Sequence, residues 1–266
     1  MPSHYFPVDL PWGRCSQAYW AQEPTGNVFV FVHGFGGSAV ESWNEFDGLL
    51  PAEGNHDIVF FGYDSVGLRT TVAAAFLVEF LHSLCCNPAT TVNSTLPPEL
   101  YRTEKFRVRQ VILVGHSLGA VVCRRALLDA YNDRAAWASL VALVFFAPAH
   151  MGAHVLPLVA SMLGILHFPM LAFTKWLAPV LDELQEDSLF LKDLRNETRT
   201  AIASGSAEFL RARAIAICER DRVVNPQSFC PQDAPPIVLM KDHVSICKPS
   251  NQFTAPVELV TKAMLS

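Results

Sequence analysis

A serine, a histidine and a carboxylate carry the chemistry this sequence could perform. Ser117 stands between two glycines in Gly115-His116-Ser117-Leu118-Gly119, directly after the apolar run 111–114 (VILV). A turn of type G-x-S-x-G, leaving a strand and entering a helix, holds a serine hydroxyl in the open as a nucleophile. The plain alternative is a strand ending in a turn, where glycines ease the backbone into a helix. Serine is a poor nucleophile at neutral pH and needs an imidazole, itself held by a carboxylate. The pentapeptide therefore gains weight only if the rest of the chain supplies both.

Candidates for both follow later strands. The run 237–240 (IVLM) leads into Lys241-Asp242-His243, which puts His243 on a loop at a strand end. The run 212–218 (ARAIAIC) leads into Glu219-Arg220-Asp221-Arg222, and the pair Val223-Val224 anchors that loop. Asp221 is the expected acid, with Glu219 as the alternative, and Asp242 reads as support for the histidine loop. A third part would stabilise the developing oxyanion. The run 28–32 (VFVFV) enters His33-Gly34-Phe35-Gly36-Gly37, a glycine turn whose amides can face negative charge. The expected donors are the amides of Phe35 and Leu118. A phosphate loop would require GxGxxG or GK[ST], and neither is present. His33 reads as a structural hydrogen-bonder, and Gly34 and His116, beside the nucleophile, as substrate-binding positions.

These residues need a scaffold. Besides the four runs already named, 58–61 (IVFF) and 140–146 (LVALVFF) read as strands. Such continuous apolar runs suit strands buried on both faces of a parallel sheet. Helical stretches alternate with them at 72–84, 118–131 and 259–265, with Arg124, Arg125 and Asp129 on the wetter side of the second. The expected fold is α/β: a mostly parallel, doubly wound sheet in a single domain spanning 1–266. Residues 85–98 (CCNPATTVNSTLPP) read as a loop, and 102–109 (RTEKFRVR) as a solvated connection. The largest departure from alternation is 149–211, read as a helical lid or cap inserted over the strand ends. Within it, 153–181 carries one formal charge, Lys175. That length would span a bilayer, but Pro157, Gly164 and Pro169 break it and His154 and His167 interrupt it. Short apolar helices over a site are expected instead, with Leu156, Met162, Leu166, Phe168 and Phe173 contacting an apolar substrate.

Taken together, HGFGG after a strand, GHSLG after a central strand, and a late aspartate and histidine resemble an α/β-hydrolase serine esterase or lipase. More narrowly, VFFGYDS (59–65), GHSLGAVVCRRAL (115–127), FFAPAHMGA (145–153), LQEDSLFLKDL (184–194) and DHVSICKP (242–249) resemble the lipase-like serine esterases related to the GPI inositol-deacylase group. In that group the strand after the elbow helix usually ends in a threonine-proline-histidine-arginine-glycine-like turn. Here it reads Ala147-Pro148-Ala149-His150-Met151-Gly152, displaced by one residue and without the arginine. The resemblance implies hydrolysis of a carboxylic ester through an acyl-enzyme on Ser117. His243 would be the base, Asp221 its carboxylate, and the Phe35 and Leu118 amides the oxyanion hole. It implies no metal or organic cofactor.

Bulk composition fits that reading. The chain has 266 residues, 51% of them apolar and 17% charged, enough for one sizeable core and too apolar for disorder. Its formal charge of -5 argues against a nucleic-acid partner, which calls for a basic face. The expected partner is a small-molecule or lipid ester, and the apolar lid also suits peripheral membrane contact. The seven cysteines form no CxxC pair, so no zinc motif is visible. The opening residues MPSHYFPVDLPWGR lack the basic start and apolar run of a signal peptide. A reduced, cytoplasmic setting is the expectation.

Overall fold

The continuous apolar runs become the interior of one sheet. The computed structural model describes residues 5–154 and 178–265. Its strands are β1 (Tyr5–Asp9), β2 (Gln17–Ala21), β3 (Asn27–Val32), β4 (Asp57–Phe61), β5 (Gln110–His116), β6 (Val141–Phe146), β7 (Ala212–Cys218) and β8 (Ile237–Leu239). They form one eight-stranded sheet in the order β1-β2-β4-β3-β5-β6-β7-β8. β3 to β8 run parallel, and β1 and β2 add an antiparallel edge beside β4. From Val111 to His116 every residue of β5 is buried, so helices must cover both faces of the sheet there. In register, Val32 lies opposite Gly115 and His116 opposite Phe146. The turns after β3, β5 and β6 thus leave the sheet side by side at its carboxyl end, where open α/β sheets bind ligands.

The helices are α1 (Phe46–Leu49), α2 (Thr70–Cys86), α3 (Pro88–Asn93), α4 (Leu118–Asn132), α5 (Ala178–Glu183), α6 (Leu189–Ala203) and α7 (Ala255–Leu265). α4 packs on β3, β5 and β6 with α2 beside it, and α7 packs on β5, β6 and β7. The side chain of Ser188 caps α6 by accepting from the Leu191 amide at 3.2 Å. α6 rests on α4, where Glu197 meets Arg125 at 3.4 Å, giving the β6-to-β7 connection its crossover helix. Of the interval 149–211 read as a lid, residues 155–177 lie outside the described part. So do the pocket positions Leu156, Met162, Leu166, Phe168 and Phe173. No described helix is long and apolar enough to cross a membrane.

Four sequence expectations need correction. β1 and β2 do not read as strands in the sequence: β1 contains Pro7 and alternates in exposure, as an edge strand does. The stretch 85–98 is not a loop, because α2 continues to Cys86 and Pro88 opens α3, a position where its missing N–H costs nothing. Thr91 locks the junction by donating to the carbonyl oxygens of Ser83 and Asn87 at 2.8 and 2.9 Å. Within 102–109, Arg102 is not solvated. Its guanidinium forks onto the buried carboxylate of Asp57 and lies over the rings of Trp20 and Phe106. Arg124 is not on a wet face either. It is fully buried between Phe145 and Phe229, bonded to Asp233 at 2.9 Å and to the Leu210 carbonyl at 2.8 Å. In both places a specific carboxylate neutralises the buried charge.

Candidate active site

The strand-to-helix turn at Ser117 is sharp. The serine adopts φ 53° and ψ -119°, in the strained positive-φ region, while its amide donates to the Phe146 carbonyl at 3.0 Å. Its carbonyl accepts from the amides of Ala120 and Ala149 at 3.1 and 3.2 Å, so both strand ends hold the turn in place. The flanking glycines answer to packing. A Cβ on Gly119 would lie 2.0 Å from the Val32 carbonyl oxygen, and one on Gly115 would lie 2.5 Å from Ala120 Cα. Only without those atoms can the start of α4 press against the end of β3.

Pressed together, the two turns bring the expected donors beside the serine. A Cβ on Gly34 would sit 3.0 Å from that of Ser117. The next two amides are occupied: Gly36 donates to Ser65 Oγ at 2.9 Å and Gly37 to the Gly34 carbonyl at 3.1 Å. Phe35 has no such acceptor among the described residues. Leu118 opens α4, where first-turn amides lack a partner within the helix. His33 shapes this turn from below. Its Nδ1–H donates to the Gly34 carbonyl at 2.9 Å, and its ring stacks on Tyr63, whose hydroxyl donates to the His33 carbonyl.

His243 and Asp221 reach the serine from the loops after β8 and β7. His243 Nε2 is 3.0 Å from Ser117 Oγ, and His243 Nδ1 is 2.9 Å from Asp221 Oδ2. Asp221 Oδ1 accepts from the amides of Val223 and Val224 at 2.8 and 3.1 Å. Burial alone would raise the pKa of Asp221. The hydrogen bond and charge of His243, with those two amides, outweigh it and hold the carboxyl down at about 2. An ionised Asp221 at neutral pH keeps the proton of His243 on Nδ1 and leaves Nε2 to accept the serine hydroxyl. Glu219 is exposed. Asp242 turns the histidine loop by accepting from the amides of Val244 and Ser245 at 3.0 and 2.8 Å. The acid loop is stitched to the turn after β6: the His154 amide donates to the Val223 carbonyl at 2.8 Å and that of Asn225 to Gly152 at 3.1 Å.

Ser117 lines an open cleft of about 210 Å³ together with the glycine turn, Ser38, Glu41, Ser42, His116, His243, Val244 and Lys248. Gly34 and His116, expected as substrate contacts, both line it. The ring of His116 is engaged elsewhere, however: its Nε2 lies 2.8 Å from the His243 carbonyl oxygen. That contact joins residues far apart in the chain, and nothing in the local sequence signals it. Among the described residues no group of side chains has the composition of a metal site.

Three imidazoles around the site are buried and kept neutral. Burial lowers the pKa of His33, of His150 and of His116, the last to about 3. His243 and Lys248 add to the depression of His116, and Arg124 to that of His150. An unfolded histidine takes up a proton near pH 6.5, and these folded ones resist it. Their stabilisation is therefore complete above about pH 6.5 and is lost as pH falls toward the folded values. The urea midpoint is expected to hold from pH 7.5 to about 6.5 and to drop from there to pH 5, with His116 alone contributing on the order of 1 kcal/mol per pH unit in stability. A flat profile over that range would mean that these rings meet solvent.

Comparisons with known proteins bear on the family and the fold. The sequence model of the alpha/beta hydrolase family matches residues 29–246. A search of curated proteins by sequence finds no match. Among solved structures, the fold is similar to that of the mature Bacillus licheniformis lipase BlEst2, at 17% identity and a TM-score of 0.54, covering 98% of this chain and 99% of the lipase. The peroxisomal alpha-beta-hydrolase Lpx1 of Saccharomyces cerevisiae is similar at 13% identity and 0.56, covering 99% and 91%. Naproxen esterase from Bacillus subtilis is similar at 14% identity and 0.50, covering 98% and 90%. At such identities the likeness speaks for the fold alone, and the family match spans most of the chain. This chain is a member of the alpha/beta hydrolase family.

Proposed function

We propose that this hydrolase cleaves carboxylic esters through an acyl-enzyme on Ser117. The observation that carries the reading is the unbroken chain from Asp221 through His243 to Ser117, at 2.9 and 3.0 Å. In the first half-reaction His243 takes the proton of Ser117 as its oxygen attacks the ester carbonyl. The amides of Phe35 and Leu118 hold the oxyanion. Collapse of the tetrahedral intermediate expels the alcohol, which leaves with the proton from His243. Water, deprotonated by the same histidine, then releases the acid and frees Ser117. Asp221 stays ionised throughout and stabilises the imidazolium.

The substrate we propose carries an apolar acyl chain, and what supports this is the composition of 153–181, which holds Lys175 as its one formal charge. Esters of one alcohol with acyl chains of increasing length, assayed below and above the micellar threshold, test this. The specificity constant kcat/KM is expected to rise by about 50- to 200-fold across three or four added methylenes, because each buried CH₂ contributes about 0.8 kcal/mol. A preference for the shortest acyl group would end the apolar-substrate reading. Thioesters of the same acyl series form the control, since the same groups could attack them.

A further inference from the structure

We propose that His116, the residue before the nucleophile, is a positioning residue that sets the distance between His243 and Ser117 by gripping the main chain of His243. This rests on the serine mechanism proposed above.

His116 ends β5, so its backbone is fixed by the central strand of the sheet. Its Nε2 lies 2.8 Å from the carbonyl oxygen of His243. A carbonyl can only accept, so Nε2 carries the proton and donates. The two rings lie against each other with centroids 5.0 Å apart, and the edge of Trp43 closes the far side at 6.5 Å. The other nitrogen of His116 lies against the glycine turn, where a Cβ on Gly34 would be 3.1 Å from Nδ1. The ring is thus wedged between the proposed oxyanion turn and the histidine loop.

That loop needs an anchor. β8, the strand that delivers it, is three residues long and lies at the edge of the sheet, and Met240, just beyond it, is 79% exposed. Beside His243 the loop's own bonds are local, from Val244, Ser245 and Ile246 back to Asp242, and the Cys247 thiol donates to the Ser42 carbonyl at 3.6 Å. Farther along, Asn44 holds the Pro249 carbonyl at 2.7 Å. At His243 itself, the main chain is tied to the elbow by His116. Neutrality suits this task. Burial, the neighbouring His243 and Lys248 push the pKa of His116 down to about 3, against the opposing pull of its bond to His243 and of Asp221. No second positive charge then forms beside the imidazolium that catalysis creates at His243.

The test compares His116→Leu, which removes the donor, with His116→Gln, whose amide N–H reaches about as far as Nε2. His116→Asn is polar but too short and should behave as His116→Leu does, even if the leucine variant folds poorly. Each is made in the wild type and in His243→Ala. The readouts are the rate of Ser117 modification by a fluorophosphonate probe, kcat and KM on one ester, and Tm. His116→Leu is expected to lower both the modification rate and kcat by about 30- to 100-fold, the scale of a misplacement near 1 Å. KM should stay within about twofold, and His116→Gln should recover most of the loss. In His243→Ala the leucine substitution should cost nothing more, because a residue that acts through His243 has nothing left to position. An unchanged modification rate in His116→Leu would overturn the proposal, as would a rise in KM alone or an equal loss in both backgrounds. A wild type whose Ser117 does not react at all would overturn the serine mechanism and this proposal with it. That outcome is distinct from a reactive wild type with an indifferent leucine variant.

Discussion

Ser117→Ala is expected to lower ester turnover by about a million-fold, to the level of the oxyanion donors and binding alone, and to leave the fold in place. The loss is large because no neighbouring group among the described residues can take over. The other hydroxyls lining the cleft, Ser38 and Ser42, are tied into the turn after β3: Ser42 Oγ accepts from the Ser38 amide at 3.0 Å, and Ser38 Oγ from the Glu41 amide at 3.1 Å. The fold should survive because the strained turn is held by the main chain. The Ser117 amide bonds to Phe146, and its carbonyl to Ala120 and Ala149; alanine keeps all three. Alanine also meets the same steric cost at φ 53°, so strain is neither relieved nor added. The bond lost is the one from Oγ to His243. Circular dichroism and Tm, read beside turnover, check both halves. Full turnover by the alanine variant would remove the nucleophile from the mechanism.

The fold was legible where the physics is local or repetitive. β3, β5 and β6 are covered on both faces, so each reads as an unbroken apolar run. The elbow was legible because glycines must flank a serine wherever a helix start presses on a neighbouring strand, as the approach of Gly119 to Val32 shows. The order of serine, aspartate and histidine followed from counting strands. What escaped depended on partners distant in the chain. Arg102 reads as a solvated charge until Asp57 is seen to hold it, and Arg124 until Asp233 is. At His116 the bond of its Nε2 to the His243 carbonyl, 127 residues away, is equally invisible in the local sequence. β1 escaped for another reason: an edge strand with a proline and two of its five residues exposed carries no buried apolar run.

Asp221→Asn is expected to lower kcat/KM by about ten-thousandfold, whereas Glu219→Gln should stay within about twofold of wild type. The two carboxylates stand two residues apart on one loop, and their surroundings separate them. Asp221 Oδ1 accepts from the amides of Val223 and Val224, leaving Oδ2 for His243. In the Asp221→Asn variant the one remaining side-chain oxygen must satisfy those two amides, so the NH₂ group turns to face His243 Nδ1. A donor there forces Nδ1 to be the unprotonated nitrogen and moves the proton to Nε2. The histidine then presents N–H to Ser117 where an acceptor is needed, and it loses the negative charge that stabilises its imidazolium form. KM should change little, because binding does not need the correct tautomer. Glu219 is exposed and makes no contact with His243 among the described residues, so its amide changes little. Asp242→Asn should also be mild: its Oδ1 accepts from the amides of Val244 and Ser245, and an asparagine oxygen can do the same. The ranking of these three variants by kcat/KM is the check. If Glu219→Gln were the damaging one, the acid would be Glu219, and the loop after β7 would have to rearrange in solution to bring it to the imidazole.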